Sequence, residues 1–117
     1  MAICAVNRLI DMGVEPFLLS SSLLGVLAQR LVRKLCVHCG GAGCNRCGQT
    51  GYQGRTGIFE LMVANDAIRA QIHNRASEAD IRGAALAAGM TQMREDGERL
   101  VREGLTSREE LVRVTRD

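Results

Sequence analysis

Apolar residues recur at helical spacing at the start of the chain. Those of the first turns lie three or four positions apart: Ile3, Val6, Leu9 and Ile10. Together with Gly13, which stands where helices commonly stop, they predict a helix over residues 1–12. Pro16 suits the first turn of a second helix, which we expect to reach about Leu31. Apolar residues lie on nearly all sides of this second helix, so most of its surface must be covered by protein.

The second half of the chain predicts one short strand followed by helices. The strand is the stretch GIFELM, residues 57–62. Serine or threonine followed by an acidic residue marks helix starts at Ser77 and at Thr106 or Ser107, and Gly89 and Gly104 are natural stops. The predicted helices cover residues 67–73, a stretch after Ser77, residues 93–103 and a stretch after Ser107. The predicted fold class is therefore α+β, mostly helical, with a C-terminal helical subdomain.

Composition and charge narrow the function classes. Hydrophobic residues make up 46% of the chain but aromatic residues only 3%, so the core must be aliphatic. The net charge of +2, with basic residues spread out, argues against nucleic-acid binding. The most apolar run, residues 17–28, is shorter than the roughly twenty residues of a membrane-spanning helix, so no span is expected. The first residues lack the features of a secretory signal, so we expect a cytoplasmic protein.

Four of the five cysteines stand in two CxxC pairs: Cys36, Cys39, Cys44 and Cys47. In a reducing compartment, such pairs bind metal more often than they form disulfides. Each pair lets two thiolates point at one ion from one tight turn, and two pairs complete the shell of a structural zinc site. Because all four positions are filled, no position is open for water or substrate, and the zinc is predicted to be structural. Unliganded thiols or a redox pair are the alternative.

Two further residues near this chemistry have simpler interpretations. His38 lies inside the first pair, but with four cysteines present we expect it to be a bystander. Cys4 falls on the apolar side of the first predicted helix, so we expect it to pack in the core.

The stretch CVHCGGAG also satisfies the CxxCxGxG pattern of the zinc region of DnaJ-type co-chaperones. That resemblance covers about sixteen residues, and nothing outside them fits it.

A wider resemblance covers almost the whole chain. The phrases DMGVEPFLLSSSLLGVLAQRLVRKLC (11–36), CNRCGQTGYQGRTGIFEL (44–61) and AGMTQMREDGERLVREGLTSREELVRVT (88–115) carry it. They closely resemble the cytoplasmic ATPase of type II protein secretion, the general secretory pathway protein E family. Type IV pilus assembly ATPases share the CxxC pairs and the GYxGRxGI phrase. Family members carry a longer insertion between the two pairs than the four residues Gly40 to Gly43 of this chain.

The resemblance implies three parts of a larger protein. Residues 1–35 would be the tail of a RecA-like ATPase core, residues 36–56 the zinc module, and residues 57–117 a short strand with the helical subdomain. ATP and Mg²⁺ would bind only in a full-length parent, because this chain has no GxxxxGK[ST] loop and no magnesium-binding acids, and no catalytic residue is assigned in it. We therefore expect a C-terminal fragment that does not hydrolyse ATP alone.

The resemblance also implies partners. The parent would form a hexamer that drives pseudopilus assembly with inner-membrane platform proteins, at the cytoplasmic face of the bacterial inner membrane. Arg55 could reach a nucleotide or an adjacent subunit, or pair with an acid such as Glu60. Gln29 and Arg30 are expected to pack and form hydrogen bonds where the ATPase core meets the zinc module, with direct ligand contact as the alternative. Tyr52 is expected to pack beside Phe59. The alternative function is a free zinc-binding module that holds a protein partner without any link to ATP.

Overall fold

The computed structural model describes residues 2–116, which contain six helices and two strands. In chain order they are α1 (Ala2–Asp11), α2 (Pro16–Ser22), β1 (Gly25–Leu35), β2 (Tyr52–Val63), α3 (Asp66–His73), α4 (Glu78–Ala87), α5 (Met93–Arg102) and α6 (Arg108–Thr115). The strands pair into one sheet. The backbone N–H of Ala64 donates to Leu24, and that of Cys36 donates to Gly51, so β1 and β2 run antiparallel. The predicted α+β class is confirmed.

The predicted long helix from Pro16 to about Leu31 is wrong. Helix α2 ends at Ser22, Leu23 is already extended, and Gly25 begins strand β1. The Ser21 and Ser22 hydroxyls donate to carbonyls one helical turn back, a bond that weakens helices. A Cβ on Gly25 would lie 3.0 Å from the Met62 carbonyl oxygen, so the bare glycine lets the strands approach closely.

The other predicted elements are confirmed, with small shifts of their ends. Strand β2 contains the predicted 57–62 and begins five residues earlier. Ser77 accepts from the backbone N–H of Asp80 to cap α4, and Ser107 accepts from that of Glu110 to cap α6. Of the helix predicted over 1–12, position 1 lies outside the described residues.

The described residues divide into two compact units, each made of two separate stretches of chain. The first contains residues 2–28 and 60–92. Within it α1 packs against α4, and α3 packs against both α2 and α4. Its core is aliphatic, as the composition predicts, and consists of Ala2, Ile3, Val6, Leu19, Met62, Ile68, Ile72, Ile81 and Ala85. None of the described helices has the length and apolar character that a membrane crossing requires.

The second unit contains residues 29–59 and 93–116. It includes the cysteine segment and the pair formed by α5 and α6. Its buried apolar side chains come from both strands and both helices: Val32, Ile58, Met93, Leu100 and Leu111. The division predicted from the sequence, into residues 1–35, 36–56 and 57–117, concerns functional parts of a parent protein and not these compact units, and it stays a prediction.

Gly97 lets α5 and α6 approach closely, and we expect Gly97→Ala to destabilise the second unit by about 1 kcal/mol. A Cβ at Gly97 would overlap the Cδ1 atom of Leu111, whose side chain is buried. Overpacking a core lowers the free energy of unfolding by about 1–3 kcal/mol. The higher helix propensity of alanine raises it by about 1 kcal/mol, so a net loss is expected. Gly83 in α4 is the control, because a Cβ there meets no atom within 4 Å. Denaturant unfolding should show Gly83→Ala stabilised, and a gain for Gly97→Ala would contradict the packing argument.

Candidate metal centre

A loop without helix or strand carries the two cysteine pairs between β1 and β2. The loop is closed at its base, where the backbone N–H of Cys36 donates to the Gly51 carbonyl at 2.9 Å. Gly51 has a φ of +82° and lies against the backbone of Gly41. Only glycine adopts this conformation readily and leaves room for such a close approach. The glycines therefore bring the first and last turns of the loop together.

The four sulfur atoms of the CxxC pairs form one compact group. All of them lie within 4.8 Å of one another. The Sγ atoms of Cys36 and Cys44 are 3.8 Å apart, those of Cys39 and Cys47 are 3.8 Å apart, and those of Cys44 and Cys47 are 3.7 Å apart. A tetrahedron with Zn–S bonds of about 2.3 Å has sulfur–sulfur edges of about 3.8 Å. The four cysteines are thus close enough to hold a metal ion, and all are free thiols, not disulfides.

Backbone amides donate to sulfur atoms of the cluster. The N–H of Gly43 donates to the Cys39 sulfur at 3.2 Å. The Cys47 sulfur accepts from Cys44 at 3.3 Å and from Gly51 at 3.2 Å. Such bonds favour the thiolate, which is the form that binds metal. The glycine-rich turns therefore supply partial positive charge to the sulfur cluster.

The thiol pKa values in the cluster move in opposite directions. Desolvation raises the pKa of Cys47, but the N–H groups of Cys44 and Gly51 outweigh it and lower that pKa to about 6. The backbone N–H of Cys47 lowers the pKa of Cys44, yet desolvation and the neighbouring sulfurs of Cys47 and Cys36 raise it to about 11. Four adjacent thiols cannot all ionise without a compensating cation. A bound divalent ion would supply that compensation.

The loop has no apolar core of its own. Cys36 is buried and the other three cysteines are half-buried. No residue from 37 to 50 is buried. Hydrophobic packing therefore contributes little to the order of this loop, and ligand bonds to a shared ion are the strongest interaction its side chains offer.

His38 and Cys4 both lie outside the sulfur cluster. His38 is exposed, and its Nε2 atom lies 3.2 Å from the Arg46 guanidinium, which agrees with the prediction of a bystander. The prediction that Cys4 packs in the core is wrong. Cys4 is exposed on α1, and its sulfur lies 3.3 Å from a carboxylate oxygen of Glu78. The apolar face of α1 turns slightly away from position 4 and buries Ile3 and Val6 instead.

Arg55 and Tyr52 have different surroundings. Arg55 is exposed on β2, and its contact with a nucleotide or a neighbouring subunit stays a prediction. Glu60, considered as its ion-pair partner, is buried and accepts the Ala2 backbone N–H at 2.6 Å. Tyr52 does not pack beside Phe59: they stand seven positions apart in one extended strand, a separation of about 20 Å. The Tyr52 ring lies under the Arg33 guanidinium, 4.1 Å from centroid to carbon.

Gln29 and Arg30 both lie on strand β1. The amide of Gln29 lies over the bare Cα of Gly57, where an added Cβ would come within 2.8 Å of its nitrogen. The Arg30 guanidinium donates to the carbonyl of Val114 at the end of α6. Both contacts are packing and hydrogen bonding within the second unit, the kind of role that the sequence favoured for these residues.

Sequence reasoning missed Glu110, which is buried in the same unit as the cysteines. Hydrogen bonds from the Arg113 side chain, and then from the side chain and backbone of Arg33, lower the pKa of Glu110 to about 2 despite its burial. In the sequence it is one acid among several on an amphipathic helix. The only local signal is Arg113 three positions later, a spacing that predicts an exposed pair.

A family model described as "Type II/IV secretion system protein" matches residues 1–113. The chain belongs to this family. The resemblance inferred from the sequence phrases is thereby confirmed, and relatives named type II secretion system protein E match the whole chain.

Two relatives illustrate the similarity to the Type II/IV secretion system protein family. The type II secretion system protein HxcR of Pseudomonas aeruginosa is 61% identical over 124 residues, covering 99% of this chain and 26% of that protein. The type II secretion system ATPase E of Vibrio cholerae is 43% identical over 141 residues, covering 99% of this chain and 28% of that protein. The chain thus spans about a quarter of the length of these relatives. The aligned stretches exceed its own 117 residues, so the relatives have residues in this region that it lacks.

The fold is also similar to that of a solved motor protein. The crystal structure of the pilus retraction motor PilT with bound ADP matches with a TM-score of 0.70 at 24% identity. The match covers 99% of this chain and 30% of the PilT chain. At this identity the likeness concerns the fold alone.

Proposed function

We propose that this chain is the zinc-stabilised C-terminal region of a type II secretion ATPase. The observation that carries the proposal is the four-sulfur cluster, which is compact enough to surround one metal ion and lies inside the stretch matched by the family model. Cys36, Cys39, Cys44 and Cys47 would hold the ion. Zinc bound there would be structural, because four thiolates fill its coordination shell.

In this proposal the ATP chemistry belongs to the rest of a longer polypeptide. Phosphoryl transfer depends on positioning and on charge neutralisation around the phosphates. The 117 residues include no GxxxxGK[ST] loop to supply them. The chain would complete a RecA-like ATPase domain, of which residues 1–35 are the tail. Exposed Arg55 is the residue of this chain that we assign to a nucleotide or to a neighbouring subunit of the hexamer.

The proposed setting follows from relatives whose names place them in type II secretion. The assembled ATPase would act at the cytoplasmic face of the inner membrane on the secretion platform and drive pseudopilus assembly. The cysteine loop would keep its part of the motor rigid. It would do so without adding a catalytic group, since its ligand shell is closed.

A chimera tests this function. In it the matching quarter of the Vibrio cholerae ATPase E is replaced by this chain, and magnesium-dependent phosphate release is measured for the chimera, the parent and the isolated chain. We expect turnover in the chimera within about tenfold of the parent and none above background in the isolated chain, because the phosphate-binding groups lie elsewhere.

Two changes in the chimera identify the parts that matter. Cys36→Ser with Cys39→Ser should strongly reduce turnover, whereas Cys4→Ser, which changes an exposed thiol outside the cluster, should not. A folded chimera that is inactive, or an isolated chain whose turnover survives further purification, would contradict the proposal and favour a free zinc-binding module or an unrecognised nucleotide site, respectively.

A further inference from the structure

A short segment before and within α6 is joined to the end of strand β1 that leads into the cysteine loop. We call residues 105–110 the clip segment. The Leu105 carbonyl accepts the backbone N–H of Leu35 at 2.9 Å. The Thr106 hydroxyl donates to the Arg33 carbonyl at 2.7 Å. The clip segment therefore bonds to the backbone within three residues of Cys36, the first cysteine of the cluster.

Glu110 forms the charged part of this junction. Its side chain is fully buried. One carboxylate oxygen accepts the backbone N–H of Arg33 at 2.7 Å, and the other accepts from the Arg33 guanidinium at 3.1 Å. Arg113 adds two bonds, at 2.7 and 2.8 Å. A buried carboxylate with this many donors is held firmly in place, because leaving the buried charge without them is unfavourable.

The clip segment also holds the other end of the loop. The Ser107 hydroxyl, which caps α6, lies 2.6 Å from the Tyr52 hydroxyl. Tyr52 follows directly after Gly51, the last residue of the loop, and its ring supports the Arg33 guanidinium. The start and the end of the cysteine loop are thus both fixed to the same six residues of the C-terminal region.

We propose that Glu110 is the positioning residue of the metal centre, and that metal binding and the folding of α6 stabilise each other through the clip segment. The inference rests on the proposed zinc site. Glu110 does not touch the ion: it acts through Arg33 and so fixes the direction in which β1 presents Cys36. In the folded chain both loop ends are then held in place by the clip segment, and preorganisation of this kind raises affinity.

Zinc affinity of the whole chain tests this role, with Glu98→Gln as the matched control for Glu110→Gln. Both changes remove one carboxylate that pairs with an arginine, but Glu98 pairs with the exposed side chain of Arg108, which is itself part of the clip segment, and no bond joins Glu98 to β1. An exposed ion pair contributes little to stability, so Glu98→Gln leaves the bonds between the clip segment and β1 in place. Competition with a chromophoric chelator should show zinc binding weakened about tenfold in Glu110→Gln, a typical effect of residues that orient ligands. Glu98→Gln should bind within about twofold of the unchanged chain.

Two further readouts separate positioning from general stability. Cobalt(II) in place of zinc should show an altered visible absorption spectrum in Glu110→Gln, because the sulfur geometry around the ion changes. In the unchanged chain, zinc should slow amide exchange both in the cysteine loop and in α6. In Glu110→Gln, zinc should slow exchange in the cysteine loop but not in α6. Tyr52→Phe removes one hydroxyl bond at the other loop end and keeps the ring. It serves as the second variant should Glu110→Gln not fold, and zinc should bind it several-fold more weakly.

The outcomes are distinct. Equal zinc affinity and equal cobalt spectra in Glu110→Gln would overturn the positioning role and leave the zinc site intact. Where that variant is unfolded, equal zinc affinity in Tyr52→Phe would overturn the effect of the clip segment on the loop, through which Glu110 is proposed to act. Zinc that slows exchange in the loop of the unchanged chain without slowing it in α6 would overturn the coupling. An unchanged chain that binds neither zinc nor cobalt would overturn the zinc site itself, and this inference with it.

Discussion

Removing the metal ligands is expected to unfold the cysteine loop. With zinc bound, the backbone amides of residues 36–51 should be protected from exchange, and this protection should be lost on chelation or in Cys36→Ser. The reason is the absence of buried side chains from 37 to 50, so a bound ion would be the main source of order in this loop. Structural zinc contributes on the order of 10 kcal/mol of binding free energy to the segment it folds.

Metal analysis and amide exchange check this expectation together. One zinc per chain should be found under reducing conditions, and Cys4→Ser should change neither the metal content nor the exchange rates, because Cys4 is exposed and apart from the cluster. A loop that keeps its protection when metal-free would show that the turns themselves hold the structure. The thiols would then be unliganded groups in a preformed loop.

Replacing Gly51 by alanine is expected to disrupt the closure of the same loop. The φ of +82° is unfavourable for alanine by about 1–2 kcal/mol. Its Cβ would also overlap the carbonyl oxygen of Gly41, with the Gly41 carbonyl carbon only 3.0 Å away. These are backbone atoms that cannot rotate aside, so we expect a loss of about 3 kcal/mol or more in the stability of the metal-bound chain.

Gly48→Ala is the matched control for Gly51→Ala. Gly48 has a φ of +64°, but a Cβ there meets no atom within 4 Å. The stability of Gly48→Ala should therefore fall only by the cost of holding alanine at a positive φ, about 1–2 kcal/mol. Denaturant unfolding of both zinc-bound variants measures the difference, and equal losses would mean that the approach of Gly41 to Gly51 has no energetic role.

The grouping of the four cysteine sulfurs was predictable from the sequence because the cysteines lie close together in the chain. A CxxC turn places its own two sulfurs, and a four-residue spacer leaves the two turns few arrangements other than side by side. Helix caps were predictable for the same reason: Ser77 and Ser107 bond to amides three residues ahead. In these cases local spacing determines the contact.

The failures concern residues whose state depends on distant partners. The apolar run after Pro16 fits a strand as well as a helix, and pairing with residues near Met62 decides for the strand. The expectation that protein covers most of this run is wrong for the described residues, in which Phe17 and Leu27 are exposed. The burial of Glu110 depends on Arg33, which lies 77 positions away in the sequence. Whether the Cys4 side chain is buried depends on the rotation of α1 about its axis against the neighbouring helices. Helical periodicity in the sequence determines this rotation only to within one residue.

The alternation of the chain between its two units bears on the order in which they can form. Each unit needs two stretches that are separated in the sequence. Residues 2–28 fold together with residues 60–92, and residues 29–59 fold together with residues 93–116. During synthesis from the N-terminus, the cysteine loop is therefore made well before the clip segment that fixes both its ends. Long-range closures of this kind slow folding. An ion bound early would hold the loop in its final conformation until the clip segment has been synthesised and can bond to both loop ends.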